Sequence, residues 1–316
     1  VIPIPYSNLV TRSNVAALVP ESVSTQMLNT LSESSAVMQL GTSIPLASNQ
    51  VRFPVLSALP TAYFVNGDTG LKQTTEAAWA NRYLYVEEIA TIVPIPEAVL
   101  DDAQFDVFAA IRPLMETAIV RVLDAAVIFG TNAPTTWATE GNLVAKAVAA
   151  GNVVARGTNN AAAGGYHQDI LDTVGAIELD GHFPTGAIGN VTVRGALRKV
   201  RTTTGEQLPL PADVPAIQYP GSLAGLWPTG VNAAELLVGD FSQLVVGVRQ
   251  DMTYKLLDQG VITDGAGAIQ FNLPQQDMLA LRLVFRAGYA TSNPINFQQP
   301  NAAQRSPFAV LRSPAT

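Results

Sequence analysis

The spacing of apolar and polar positions switches period several times along the chain and so divides it into extended and helical stretches. Residues 1–18 contain Pro3 and Pro5, which fix φ and push the residue before each out of the helical region. This opening reads as an extended arm that has to lie on some other surface. Pro20 and Glu21 then suit a helix start, and Val23, Met27, Leu28 and Leu31 repeat at helical spacing through about Ser34. From Val51 the period becomes two: Val51, Phe53 and Val55 alternate with Arg52 and Pro54, and Ala62 to Val65 reads as a second extended piece. A turn cluster at Asn66 to Gly70 leads to a return run from Trp79 through Tyr83, Tyr85 and Ile89 to Val93. The pattern predicts a long two-stranded excursion with a flexible tip near residues 66–78. Such a hairpin is marginal alone and needs a surface beneath it.

Asp101 and Asp102 precede the longest helical pattern, with Phe105, Phe108, Ile111, Met115, Ile119, Val122 and Ala126 on one stripe and Gly130 as the stop. A helix over 104–129 would be about 39 Å long, and Pro113 inside it should kink it or split it in two. Residues 131–165, rich in Ala, Gly, Asn and Thr, read as turns and loops. A helix over 167–180 carries Ile170, Val174 and Ile177; a short strand at 187–190 leads into a helix over 192–201; residues 202–234 are mostly loop. Strands follow at Leu236–Phe241 and Leu244–Val248. Met252–Ile262 and Ala268–Leu273 are joined by a hairpin signal at Asp264-Gly265, and a buried strand runs over Met278–Phe285. The fold class is α+β, and no repeat of the solenoid kind is present.

Composition changes this picture in one respect. Hydrophobic residues make up 48% of the chain, but charged residues only 14%, against about 25% in a typical soluble protein. A surface with so few charges is expected to be covered by other chains, most simply by copies of itself. The net charge of −7, with Lys72, Lys146, Lys199 and Lys255 as the complete set of lysines, provides no basic footprint for gripping nucleic acid. An acidic wall would, however, let an enclosed genome slide. The absence of cysteine excludes disulfides, thiolate metal sites and thiol nucleophiles. No run approaches the roughly 18 apolar residues of a membrane span. The opening lacks the charged start and apolar run of a signal peptide, and because it is Val1 rather than Met the chain is expected to begin after processing or after a disordered start.

Candidate chemistry is sparse. His167 and His182 are the only histidines; no second ligand cluster joins them, and they read as surface or helix-end residues. No zincin, phosphate-loop or nucleophile-elbow pattern occurs, and Gly265-Ala-Gly267 is a turn rather than half of a dinucleotide fingerprint. Asp101 and Asp102 are read as caps of the long helix, and Glu87 and Glu88, on opposite faces of a strand, suit pairing between subunits. Arg194, Arg198, Lys199 and Arg201 form a basic helix face, either solvated or meeting an acidic neighbour. No catalytic residue, metal ligand or cofactor site is expected. A hydrolase would need two acids converging in a pocket, and a secreted adhesive or carbohydrate-binding β-module is opposed by the long apolar helix.

The order of several segments resembles the major capsid proteins of tailed double-stranded DNA bacteriophages. These are Leu18-Val-Pro-Glu-Ser-Val23 with Leu31-Ser-Glu-Ser-Ser-Ala-Val37, Val51-Arg-Phe-Pro-Val55 with Ala62-Tyr-Phe-Val65, and Ile92-Val-Pro-Ile-Pro-Glu-Ala-Val-Leu-Asp-Asp102. Leu237-Val-Gly-Asp-Phe-Ser242 and Asn301-Ala-Ala with Pro307-Phe-Ala-Val310 complete the set, which spans nearly the whole chain. The resemblance implies the Hong Kong 97-type fold: an N-terminal arm with a short helix over 1–50 and an E-loop over 51–90. It further implies a P-domain with the spine helix over 91–165, an A-domain over 166–245, P-domain strands and hairpin over 246–285, and a C-terminal segment over 286–316 returning to the A-domain. It also implies self-assembly as hexamers and pentamers into an icosahedral capsid enclosing DNA, built in the bacterial cytoplasm. Scaffolding would come from a cleaved domain or a separate protein, with a portal and a decoration protein as further partners and no membrane. Some relatives join an E-loop lysine to an asparagine of a neighbour with the help of a glutamate. Lys72 falls at the lysine, Asp277 replaces the asparagine and Val284 the glutamate, so no covalent crosslink is expected and a Lys72–Asp277 salt bridge between subunits is the alternative. An encapsulin-like nanocompartment of the same fold is the rival reading.

Overall fold

Residues 35–65, 70–103, 106–160, 164–201, 205–230 and 233–314 are described by a computed structural model. The expected arm over 1–18, the helix after Pro20, the tip at 66–69 and Phe105 lie outside them. The chain runs through α1 (Ala36–Leu40), β1 (Thr42–Pro45), β2 (Gln50–Ala58), β3 (Ala78–Tyr85), β4 (Glu87–Pro96), α2 (Glu97–Asp102) and α3 (Val107–Phe129). Next come α4 (Leu143–Ala150), β5 (Val153–Ala155), α5 (Gly165–Leu179), β6 (Gly186–Gly189), α6 (Val191–Leu197) and β7 (Ile217–Gln218). It closes with β8 (Ala234–Gly239), β9 (Leu244–Leu257), β10 (Val261–Thr263), β11 (Ile269–Asn272), β12 (Met278–Thr291) and β13 (Phe308–Arg312).

Two sheets carry the molecule. One has the order β1-β9-β12-β4 and the other β5-β13-β8-β6-β7, while β2-β3 and β10-β11 form separate two-stranded ribbons. Alternation along β12 places Leu281, Leu283 and Phe285 on one face, where they share a buried core with Met115, Ile119, Leu123 and Val127 of α3. A second core joins Ile170, Val174 and Ile177 of α5 to Leu236, Val238, Ala309 and Leu311 of the five-stranded sheet. Both stripes follow helical spacing, so each helix covers one sheet.

The helix α3 begins later than its pattern suggests. The side chain of Asp106 accepts from Ala109 N at 3.0 Å and caps the start, and Gly130 at φ 74° ends it. Asp101 and Asp102, expected as its caps, instead end the short α2. Despite Pro113 the helix is one unbroken element. Proline deletes only the bond to the Ala109 carbonyl, close to the start, and the buried stretch from Met115 onward holds the rest. The buried stripe passes through Leu123 rather than the expected Val122, which is 46% exposed. Two turns beyond Met115 fall between these two positions, and the sheet beneath the helix selects Leu123.

Other expectations need correction. Residues 131–165 are not all loop: Asn142 caps Ala145 N at 2.7 Å, Gly151 at φ 88° stops the helix, and Leu143 and Ala147 bury its inner face. The alanines that suggested a loop are good helix formers once so capped. Strand β5 follows it. Ala62 to Val65 is not a strand, and the return run is two strands in different sheets, broken at Val86, whose N–H donates to Asn49 O at 2.9 Å. The last helix of the basic segment ends at Leu197 rather than 201, and β12 continues past Phe285 to Thr291 because Arg286 to Thr291 pair with Gln250 to Leu244 of β9.

Candidate functional site

A subunit that works by association presents groups left incomplete in the single chain. The β2-β3 ribbon is the first of these. Its register runs from Gln50 opposite Tyr85 to Ala58 opposite Ala78, and beyond it both connections are irregular. The Tyr63 hydroxyl donates to the Gln73 carbonyl and ties them together. Phe64, Leu71 and Trp79 are exposed along this excursion with no core under them. Its root, by contrast, is locked. Leu84 is fully buried over the cross-strand pair Gly247 and Gly288, where a Cβ on Gly288 would collide with the Tyr85 carbonyl. Trp137 Nε1 donates to Tyr85 O at 3.0 Å and packs edge-on against Tyr289, with ring centroids 5.0 Å apart. A rigid root with an apolar, uncovered extension can reach a surface away from its own core.

Glu87 and Glu88 do point to opposite faces of β4, and each has an intrachain partner. Glu87 accepts from the Thr136 hydroxyl at 2.6 Å, and Glu88 from Arg286 Nε at 2.8 Å. Lys72 lies in the exposed irregular return of the excursion. Asp277 occupies the turn before β12 with φ 49°, and its carbonyl accepts from Glu97 N at 2.9 Å. Among the described residues, neither side chain forms an ion pair within the chain. Val284 sits mid-strand opposite Ala90 and Thr253.

The basic segment is looser than a single helix face. The Arg194 guanidinium lies 5.9 Å from the Tyr219 ring centre, Arg198 caps the end of α6, and Lys199 lies in the turn after it. Arg201 donates to the carbonyls of Arg198 at 2.7 Å and Val200 at 3.1 Å.

Buried acids serve as staples. Asp124 on α3, fully buried, accepts from Ser35 Oγ at 2.5 Å, Ala36 N at 3.0 Å and Ser222 Oγ at 2.7 Å. Burial drives its pKa up, against the lowering effect of these donors. Asp169 accepts from Gly157 N, Asn159 N and Asn159 Nδ2 at 2.7 to 2.9 Å. Glu140 accepts from Lys146 and from Thr291 N and Oγ1. Asp124 and Glu140 are so tied to segments far along the chain, and Asp169 to the turn that precedes α5. His167 and His182 lie at helix ends as expected but are buried, not on the surface, and desolvation lowers both pKa values. Among the described residues, no group of three or more His, Asp or Glu is placed to hold a metal ion.

One surface escaped the sequence reading. On the face of the four-stranded sheet turned away from α3, Arg282 stands opposite Lys255, and Arg286 opposite Glu88. The signal was the equal parity of Arg282, Val284 and Arg286, hidden within a run that reads as buried.

Residues 15–299 match the model of the phage capsid family. The chain is 26% identical over 264 residues to the major capsid protein of Staphylococcus phage 80alpha, covering 82% of this chain and 76% of that protein. A solved chain from Microbacterium phage Oxtober96 superposes with TM-score 0.83 at 32% identity, covering 97% of this chain and all of that one. One from Mycobacterium phage Cain gives TM-score 0.84 at 30% identity over 98% of this chain and all of that one.

Proposed function

The chain belongs to the phage capsid family and is a structural capsid subunit, and on that premise we propose that it assembles as hexamers and pentamers into an icosahedral shell around phage double-stranded DNA. In this reading the β2-β3 excursion acts as the E-loop. The four-stranded sheet with α3 is the P-domain, and the five-stranded sheet with α5 and α6 is the A-domain. The observation that carries it is the excursion itself: a locked root and exposed Phe64, Leu71 and Trp79 with no intrachain core. Large apolar side chains left uncovered on one excursion mark surfaces that partners cover. The acidic balance, 25 acidic against 18 basic residues, suits a wall that contains DNA without sequence-specific contacts.

A Lys72–Asp277 ion pair between neighbours replaces a covalent bond, since an ionised carboxylate resists attack by an amine and Val284 supplies no base. A covalent ladder on a denaturing gel would overturn this. The basic segment from Arg194 to Arg201 meets acidic neighbours around a capsomer. A separate scaffolding protein or a cleaved scaffold domain, with a portal and a decoration protein, completes the assembly, which takes place in the bacterial cytoplasm. Nothing in the family membership favours a cargo nanocompartment. Negative-stain electron microscopy of the recombinant protein, expressed with and without a scaffold, tests the reading. Closed shells or free capsomers support it; uniform monomers under both conditions overturn it.

A further inference from the structure

A pocket of about 200 Å³ lies between β3, at the root of the excursion, the end of α4 and the segment that leads into β13. Three cations stand in its wall: Arg82 of β3, Lys146 of α4 and Arg305. No carboxylate joins them among the described residues that line it. Glu140, the partner of Lys146, lies outside the lining and is already engaged, accepting from Lys146 Nζ and from Thr291 N at 2.8 Å and Oγ1 at 2.6 Å. Arg82 is exposed and forms no ion pair among the described residues. Burial lowers the Lys146 pKa against the raising effect of Glu140, and the nearby charge of Arg82 adds to the lowering. The C-terminus of α4, at Ala149 and Ala150, offers at most about half an elementary charge in compensation. The wall is left positive.

Fixed donors accompany the charge. Arg305 is 4% exposed, and its guanidinium is clamped by Nε to Asn293 Oδ1 at 2.8 Å, by Nη1 to Gln299 O at 2.7 Å and by Nη2 to Asn293 O at 3.0 Å. A guanidinium has five N–H groups, so two are left over. Lys146 Nζ donates to Glu140 and Thr291, which leaves one of its three protons. The hydroxyl of Ser306, also buried in the wall, accepts from Phe308 N at 3.1 Å and has no acceptor of its own among the described residues. Buried donors without acceptors are costly, and an oxyanion offsets that cost with charge-assisted hydrogen bonds. An ordered water fills about 30 Å³, so the volume admits a tetrahedral oxyanion with a few waters.

We propose that this pocket binds a small tetrahedral oxyanion of the phosphate class, which ties the excursion root and α4 to the segment before β13. The inference stands independently of the shell reading. Its test is thermal unfolding of the purified full chain against inorganic phosphate, with chloride at matched ionic strength as reference, for the wild type, R82Q and R82K. In chloride, R82Q is expected to melt at or above the wild-type temperature, because the change removes a like-charge repulsion and no intrachain ion pair. Phosphate is expected to stabilise the wild type in a saturable way. The half-saturating concentration should rise about tenfold or more in R82Q, while R82K keeps the charge and retains saturation. Exclusion of phosphate from protein surfaces also stabilises, but without saturation and equally in every variant. A phosphate effect that does not saturate, or that is the same in wild type and R82Q, would overturn the assignment. So would a melting temperature of R82Q below the wild type in chloride. Stabilisation by an oligonucleotide but not by inorganic phosphate would give the pocket to a polymer instead.

Discussion

At the scale of single residues, the buried polar groups do the organising. Asp124 stands in the apolar run Val122 to Val127, where sequence offers no hint of its role, since its donors lie 88 to 98 residues away. It pins the start of α1 to α3. The two histidines carry a testable pH effect. Burial lowers both below 6.5, so near and below that value the unfolded chain binds more protons than the folded one. Their contribution is therefore complete above the unfolded pKa and is lost as pH falls through the folded values. The urea midpoint is expected to drop between about pH 7 and pH 5, and the H167Q/H182Q variant to show a flatter profile. The raised pKa of Asp124 acts with the opposite sign, favouring the fold on acidification, so the difference between wild type and variant isolates the histidines.

Among the elements, those with an unbroken period were legible and those defined by a partner were not. The α5 stripe, the short β6 strand and the turn between β10 and β11 follow directly from Ile170, Val174 and Ile177, from Ala187 and Ile188, and from Asp264-Gly265, whereas the strand expected over Met252–Ile262 is divided between β9 and β10. The break at Val86 was not legible, because the apolar alternation runs on through Tyr85 and Ile89. What divides the run is Gly247 and Gly288, far along the chain, which admit Leu84 and Tyr85 onto the sheet. G288A is accordingly expected to destabilise the subunit by about 1–3 kcal/mol, since the added Cβ meets backbone that a rotamer change cannot move. G195A in α6, with nothing within 4 Å of the new Cβ, should be neutral or stabilising by up to about 1 kcal/mol. Denaturant unfolding of the two variants checks both.

For the whole molecule, the shortage of charge and the uncovered excursion have one explanation: the energetically complete object is an assembly of chains. A triple substitution F64S/L71S/W79S should leave subunit stability within about 0.5 kcal/mol, because these side chains touch no core. The same change should abolish particles, because under the proposed function their apolar area is the part that neighbours cover. Denaturant unfolding of the subunit and particle counts by electron microscopy separate the two effects.

By itself the sequence determined the α+β class, the long apolar helix and the two-stranded excursion. All of these depend on local periodicity, turn chemistry and residue inventory, which are properties of short windows. Only the tertiary structure decided that α3 buries Leu123 rather than Val122, and that the run after Trp79 serves two sheets. It alone placed Arg282 beside Lys255. A period says that one face is buried; which residues meet across it is set by long-range strand pairing and by small residues that permit close approach, and neither leaves a trace in the neighbouring sequence.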